Sequence, residues 1–142
     1  MKKYLIASHG KFASGLKNTI QILTGIQQNI TTVDVYIDKN SNIDFLDKKI
    51  KNFVASVGQN DYGIIFTDLT GGSVNREIME KVGNKKNFYI ISSINLPIVL
   101  SILLDKDIPT ESNLKELIDK SQVRLMEFPT KLSLESDDSF LS

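Results

Sequence analysis

Short apolar runs alternate with amphipathic stretches along most of the chain. Four runs are typical of buried strands, at residues 4–7, 33–37, 62–66 and 87–92. Between them, apolar residues recur every three or four positions, as on a helix with one buried face. In the first helix these residues are Ala13, Leu16, Ile20 and Leu23. The pattern therefore predicts strands that alternate with helices.

Residues that favour helix ends bound the predicted helices. Glycines close the first three helices, at Gly25, Gly58 and Gly83. A fourth helix starts at Pro97 with Asn95 as its cap, and a fifth is capped by Thr110 or Ser112.

Strands that are apolar on nearly every residue are typical of a parallel sheet covered by helices on both faces. We therefore predict an α/β fold of flavodoxin-like type: a small doubly wound, mainly parallel sheet with order 2-1-3-4. Residues 123–128 are expected to add an extra C-terminal edge strand. In this interpretation residues 1–130 form one domain, and the acidic, serine-rich residues 131–142 form a tail.

Composition and charge argue against several classes of protein. The 17 Lys and Arg residues equal the 17 Asp and Glu residues, and no basic stripe suits nucleic acid. The chain has no cysteine, which excludes disulfides, thiolate nucleophiles and cysteine-ligated metals. Its apolar stretches are shorter than the roughly 20 residues of a membrane helix, and its start turns polar too early for a signal peptide. We expect a cytoplasmic protein.

The only histidine of the chain, His9, follows the first predicted strand, and Asp68 follows the third. Ligands of an open α/β sheet bind beyond the carboxyl ends of its strands, at the switch point, so we expect these two residues to meet there. An aspartate that accepts a hydrogen bond from one ring nitrogen fixes the imidazole tautomer and leaves the other nitrogen as a nucleophile. The pair therefore predicts nucleophilic chemistry at His9.

The loop after Asp68 is suited to an anion. Gly71 and Gly72 let backbone N–H groups approach a ligand, and Ser73 opens a helix whose positive end faces the crevice. This loop is predicted to bind a phosphoryl group, with no metal or cofactor. Gly10 lets the chain turn sharply beside His9, which leaves the ring accessible to a partner protein.

Simpler structural roles compete with these assignments. A lone histidine is more often a surface or core residue, and an aspartate after a strand is often a turn residue. Two glycines and a serine are also typical of a turn and a helix cap. Phe12 is either a docking contact or a residue packed under its own helix, and Thr67 and Thr70 have no predicted task.

Three segments, SHGKFASGL, DLTGGSVN and SINLP, resemble the enzyme IIA component of the mannose family of bacterial sugar phosphotransferase systems. The resemblance spans nearly all of the chain. It implies a transient phosphohistidine at His9, loaded from the histidine phosphocarrier protein and passed to a IIB protein or domain for sugar uptake through membrane partners. It also implies that Asp68 orients His9, that Gly71, Gly72 and Ser73 bind phosphate, and that the protein is a dimer with exchanged terminal strands.

The sequence departs from this family at two points. Many relatives have a proline directly after the serine and an asparagine two positions further on, whereas Val74 and Asn75 follow Ser73 here. The predicted site therefore does not include Asn75. The sequence also ends soon after the last predicted strand, so we expect the IIB component on a separate chain.

Other functions remain open at this point. The phosphotransfer subunit of dihydroxyacetone kinase begins with a related domain and would use the same histidine and aspartate. A response-regulator-like receiver is disfavoured, because its first strand should end with acidic residues for magnesium. A nucleotide- or flavin-binding module is disfavoured as well, since no glycine-rich phosphate motif follows the first strand.

Overall fold

A parallel sheet lies at the centre of the molecule. The structure is a computed structural model that describes residues 1–25 and 29–128. Within those residues the strands are β1 (Lys2–His9), β2 (Ile30–Val35), β3 (Tyr62–Thr67) and β4 (Phe88–Ile91). They pair in the order β2-β1-β3-β4, and each pair is parallel. The predicted α/β fold with strand order 2-1-3-4 is confirmed.

Helices cover both faces of the sheet. The described residues form the helices α1 (Phe12–Thr24), α2 (Ile43–Ser56), α3 (Ser73–Val82), α4 (Leu96–Leu104) and α5 (Glu111–Asp119). Because side chains of a strand alternate between its faces, Tyr4 and Ile6 of β1 pack against α1, α4 and α5. Leu5 and Ala7 pack on the other face against α2 and α3. The core therefore consists of two apolar layers, one on each side of β1 and β3.

Most predicted helix ends are confirmed. Gly25 follows α1 in the left-handed conformation with a φ of 73°. Asn95 caps α4 by accepting the N–H of Ile98 at 2.9 Å. Thr110 caps α5 by accepting an N–H at 3.0 Å, so it is the cap in place of Ser112. In α2 the C-cap residue is Val57, one residue before the predicted Gly58.

Two details of the first 40 residues differ from the prediction. The second strand ends at Val35, because Tyr36 has a φ of 65° and turns the chain out of the extended conformation. Leu23 is 59% exposed, since the buried residues of α1 end at Ile20.

The predicted extra edge strand at residues 123–128 is not part of this sheet. The structure assigns no strand to these residues. The side chains of Val123 and Leu125 are 88% and 95% exposed. A strand needs a neighbour for its backbone hydrogen bonds, and the described part of this chain provides none here. The predicted tail, residues 131–142, lies outside the described residues.

Candidate functional site

A crevice forms where β1 and β3 end side by side. His9 is the last residue of β1, and Asp68 directly follows β3. The chain after β1 enters α1 on one face of the sheet, whereas the chain after β3 enters α3 on the other face. Such divergence at the carboxyl edge creates the space in which α/β proteins bind their ligands.

The Asp68 carboxylate holds both the ring and the backbone of His9. Its Oδ2 lies 2.9 Å from His9 Nδ1 and accepts the His9 backbone N–H at 2.8 Å. The other oxygen, Oδ1, accepts the N–H of Leu69 at 3.0 Å. Because an ionised carboxylate only accepts hydrogen bonds, the ring proton is fixed on Nδ1 and Nε2 carries the unprotonated lone pair. The His9 side chain is 37% exposed, so its ring is accessible from outside.

The free nitrogen of His9 faces the first turn of α3. Ser73 Oγ lies 3.4 Å from Nε2. Gly72 lies so close to the ring that an added Cβ would be 3.4 Å from His9 Cε1. Gly71 has a φ of 77°, in the left-handed region that favours glycine. The structure thus brings the loop of Gly71, Gly72 and Ser73 beside the pair of His9 and Asp68.

The helices that follow β1 and β3, α1 and α3, differ in how their N-termini are capped. Ser8 Oγ accepts the N–H of Ala13 at 2.7 Å, and Asp34 Oδ1 accepts the N–H of Ser14 at 3.0 Å, so α1 is capped by distant side chains. Helix α3 begins after Gly72, which has no side chain to serve as a cap. Uncapped first-turn N–H groups and the helix dipole favour an anion. The start of α3 can therefore accept an anion beside Nε2.

Tyr36 also belongs to this crevice, although the sequence analysis missed it. Its ring centroid is 5.4 Å from that of His9, and the two planes are tilted by 35°. Its hydroxyl lies 3.0 Å from Ser73 Oγ. The one signal in the sequence is that Tyr36 comes at the carboxyl end of β2, the strand beside β1, where the apolar pattern assigned it to the strand.

Hydroxyl and amide side chains hold the loops around the crevice in place. Thr67 Oγ1 donates to Asn75 Oδ1 at 2.8 Å, and both residues are buried, which fastens the end of β3 to α3. Thr70 Oγ1 lies 2.5 Å from Ser92 Oγ and 2.8 Å from Ser93 Oγ, which links the loop after β3 to the loop after β4. Thr67 and Thr70, which had no predicted task, therefore hold the elements around the site in place.

The rim of the crevice is partly apolar. Phe12 is 45% exposed, so it is not fully packed under its own helix. Exposed apolar side chains also follow β2 and β3, at Ile37 and Leu69.

Among the described residues, no group of three or more acidic or histidine side chains could hold a metal ion. No helix in that part of the chain has the length and apolar character needed to span a membrane.

Comparison with known proteins gives matches over most of the chain. The family profile described as "PTS system fructose IIA component" matches residues 3–122. The chain is 26% identical over 106 residues to the PTS system mannose-specific EIIAB component of Escherichia coli strain K12. That match covers 72% of this chain but only 31% of the relative, so this chain corresponds to under a third of that protein.

Solved structures of similar proteins have the same architecture. A PTS IIA protein associated with the fucose utilization operon of Streptococcus pneumoniae is 27% identical, with a TM-score of 0.75. The match covers 89% of this chain and 92% of that one. The mannose/sorbose specific IIA subunit of Enterococcus faecalis is 19% identical, with a TM-score of 0.77 over 92% of this chain and 98% of that one. Because its identity is only 19%, the match to the Enterococcus faecalis subunit shows a shared fold alone.

Proposed function

The chain belongs to the mannose-type family of phosphotransferase-system IIA components, and from this premise we propose that it carries a phosphoryl group on His9 as a transient phosphohistidine. The group would arrive from the histidine phosphocarrier protein and leave to a IIB component that serves sugar uptake. One observation carries the proposal: Asp68 holds Nδ1, while the unprotonated Nε2 faces the uncapped start of α3.

Phosphoryl transfer to His9 involves only two nitrogen atoms, His9 Nε2 and the nitrogen of the donor phosphohistidine. The Nε2 lone pair of His9 attacks the phosphorus atom of the donor phosphohistidine. A new N–P bond forms as the old one breaks, and the electron pair of the broken bond returns to the donor nitrogen. The proton on Nδ1 stays in its hydrogen bond to Asp68, whose negative charge stabilises the more positive ring. In the second transfer, a nucleophile of the IIB component attacks the same phosphorus atom, and the electron pair of the broken N–P bond returns to His9 Nε2.

The loop after β3 would bind the transferred group. Its phosphoryl oxygens would accept hydrogen bonds from first-turn N–H groups of α3 and from the hydroxyl of Ser73. Gly71 and Gly72 would let the backbone approach these oxygens, because neither carries a side chain. The placement of Ser73 Oγ 3.4 Å from Nε2 supports this assignment.

Both the donor and the acceptor in this scheme are proteins, and the surroundings of His9 suit protein docking. The partly exposed ring is reachable by another folded surface. Three exposed apolar side chains follow strands at the same edge and offer contact area around it: Phe12 at the start of α1, Ile37 after β2 and Leu69 after β3.

We also propose that the protein is a homodimer. Four apolar side chains near the end of the described chain are exposed in the single copy: Val123, Leu125, Met126 and Phe128. A cluster of exposed apolar residues this large is typical of an interaction surface. A second copy of the chain would cover them and provide a neighbouring strand for residues 123–128, which pair with no strand of the described residues.

The test of the proposed function is direct phosphorylation. Purified protein is incubated with phosphoenolpyruvate and the two general phosphotransferase proteins, then analysed by intact-mass and peptide mass spectrometry. We expect one phosphoryl group, acid-labile and base-stable, on the peptide that contains His9. The variant His9→Ala should fold normally and remain unlabelled, because the ring lies at the edge of the crevice and not in the core. Labelling of that variant at the parental level would contradict the proposal.

The phosphotransfer subunit of dihydroxyacetone kinase is the alternative that shares this chemistry. The names of the relatives favour a sugar phosphotransferase system. Transfer from the labelled protein to a purified IIB component of a mannose-type system, compared with transfer to a dihydroxyacetone kinase subunit, separates the two. Exclusive transfer to the kinase subunit would overturn the assignment.

A further inference from the structure

Tyr36 adopts a backbone conformation that is unusual for its residue type. Its φ of 65° lies in the left-handed region, where the Cβ atom of an L-residue is crowded. An aromatic residue persists there only when its surroundings impose the conformation. Such outliers cluster at functional sites, and this one lies beside His9 in the crevice.

The loop after Tyr36 imposes that conformation. The N–H of Tyr36 donates to the carbonyl of Ser41 at 2.6 Å. The hydroxyl of Ser41, which is almost fully buried, accepts the N–H groups of Ile37 at 2.9 Å and Asp38 at 3.1 Å. Asp38 Oδ1 in turn accepts the N–H of Ser41 at 3.0 Å. A closed set of hydrogen bonds therefore fixes the backbone of Tyr36.

With its backbone fixed in this way, Tyr36 reaches two of the site residues at once. Its ring packs against the ring of His9 at a centroid distance of 5.4 Å, and its hydroxyl lies 3.0 Å from Ser73 Oγ. A residue that continued β2 in extended conformation would direct its side chain differently, since strand side chains alternate between the faces of the sheet.

The directions of the hydrogen bonds follow from the donors and acceptors present. Asp68 accepts from Nδ1, so Nε2 of His9 can only accept. Ser73, at 3.4 Å from Nε2, therefore donates its single hydroxyl proton to the ring. Its oxygen is then left to accept, and the Tyr36 hydroxyl is the donor at 3.0 Å.

We propose that Tyr36 is a positioning residue for phosphoryl transfer, whose hydroxyl donates to Ser73 and so directs the serine proton toward Nε2. This inference rests on the proposed phosphohistidine at His9. When the Nε2 lone pair enters the new N–P bond, the Ser73 proton turns to a phosphoryl oxygen, and no atom is exchanged between Tyr36 and the group. Donation from Tyr36 makes Ser73 a stronger donor, because hydrogen bonds in a chain polarise one another.

The test compares the parent with Tyr36→Phe, which keeps the ring and backbone but removes the hydroxyl. Tyr62→Phe serves as the matched control, because Tyr62 is the first residue of β3, at the opposite end of this strand from Asp68. Rapid-quench measurement of phosphoryl acceptance from the phosphocarrier should give a rate about fivefold lower for Tyr36→Phe, the loss of one net hydrogen bond. Tyr62→Phe should transfer at the parental rate.

Two further readouts separate positioning through Ser73 from a general structural effect. In a Ser73→Ala background, Tyr36→Phe should cause no further loss, because the residue through which it acts is gone. The ¹⁵N chemical shift of His9 Nε2 should move in Tyr36→Phe and stay unchanged in Tyr62→Phe. An equal fivefold loss with and without Ser73 would overturn the proposed route.

The outcomes for the parent protein and for the variant are distinct. A parent that accepts no phosphoryl group would contradict the proposed function itself. A parent that is phosphorylated on His9, with Tyr36→Phe equally fast and with an unchanged Nε2 shift, would contradict only the role of Tyr36.

Discussion

Asp68 Oδ2 accepts two hydrogen bonds from His9, one from Nδ1 at 2.9 Å and one from the backbone N–H at 2.8 Å. One oxygen atom therefore fixes both the tautomer of the ring and its position at the end of β1. The pair joins the two central strands of the sheet at the point where their following helices diverge.

Replacement of this carboxylate tests its role in orienting and charging the ring. In Asp68→Asn an amide oxygen can still accept from Nδ1, but the negative charge is lost. Because a hydrogen bond to a charged group is worth about 1.5–3 kcal/mol, we expect phosphoryl acceptance to slow by roughly tenfold or more while His9 still becomes labelled. Asp119→Asn on the exposed face of α5 is the control. A rate for Asp68→Asn equal to that of this control would rule out the orienting role.

Gly71 and Gly72 offer a matched pair of substitutions, because their backbones differ. Gly71 has a φ of 77° with open space at its Cβ position, so Gly71→Ala should lower the free energy of unfolding by about 1 kcal/mol through backbone strain. Gly72 has an ordinary φ of −68°, but its Cβ would meet His9 Cε1 and Leu69 at 3.3–3.4 Å.

We therefore expect Gly72→Ala to slow transfer more than it destabilises the fold, and Gly71→Ala to do the reverse. Urea unfolding and the quench assay measure the two effects on the same samples. If Gly72→Ala leaves the transfer rate unchanged, the close approach of this loop to the imidazole has no functional consequence.

The sequence was sufficient to predict the pair of His9 and Asp68, because strand order alone brings the ends of β1 and β3 together. It was also sufficient for Gly71, Gly72 and Ser73 as a loop that opens α3. Tyr36 could not be predicted in the same way. Its position after an apolar run is typical of a continuing strand, and only the hydrogen bonds to Ser41 turn it toward the crevice.

The end of the described chain shows a different limit of sequence patterns. Residues 123–128 have the composition of a strand, yet strand formation depends on a pairing partner and not on composition alone.

Asn75 is a third residue whose role the sequence pattern did not predict. Its buried hydrogen bond to Thr67 is set by how α3 packs on the end of β3, which a spacing rule does not describe.

The carboxyl of Asp105, at the C-terminal end of α4, contributes to how the stability of the fold responds to acid. The backbone N–H of Asp107 and the side-chain amide of Asn113, at 2.6 Å, hold the pKa of its carboxyl below the ordinary value. The lowered pKa in the folded state means that this carboxylate stabilises the fold above about pH 4 and that the contribution is lost as pH falls through the folded-state pKa.

Substitution of this residue measures that contribution. We expect Asp105→Asn to have a lower free energy of unfolding than the parent at pH 7, and the difference should shrink as the pH is lowered from about 5 to about 2. Urea unfolding across this range, with Asp119→Asn as the reference variant, gives the measurement. A difference that stays constant with pH would mean that the charge of this carboxylate does not stabilise the fold.

The proposed homodimer is tested at the apolar segment that the single chain leaves uncovered. Leu125 is 95% exposed, and in a dimer the substitution Leu125→Asp would bury a carboxylate without a partner, which is strongly unfavourable. We expect the parent to sediment as a dimer and Leu125→Asp to sediment as a monomer at the same concentration. Met79→Asp, an equal change at an exposed position on α3, should remain dimeric. Monomeric behaviour of the parent at all accessible concentrations would refute the dimer.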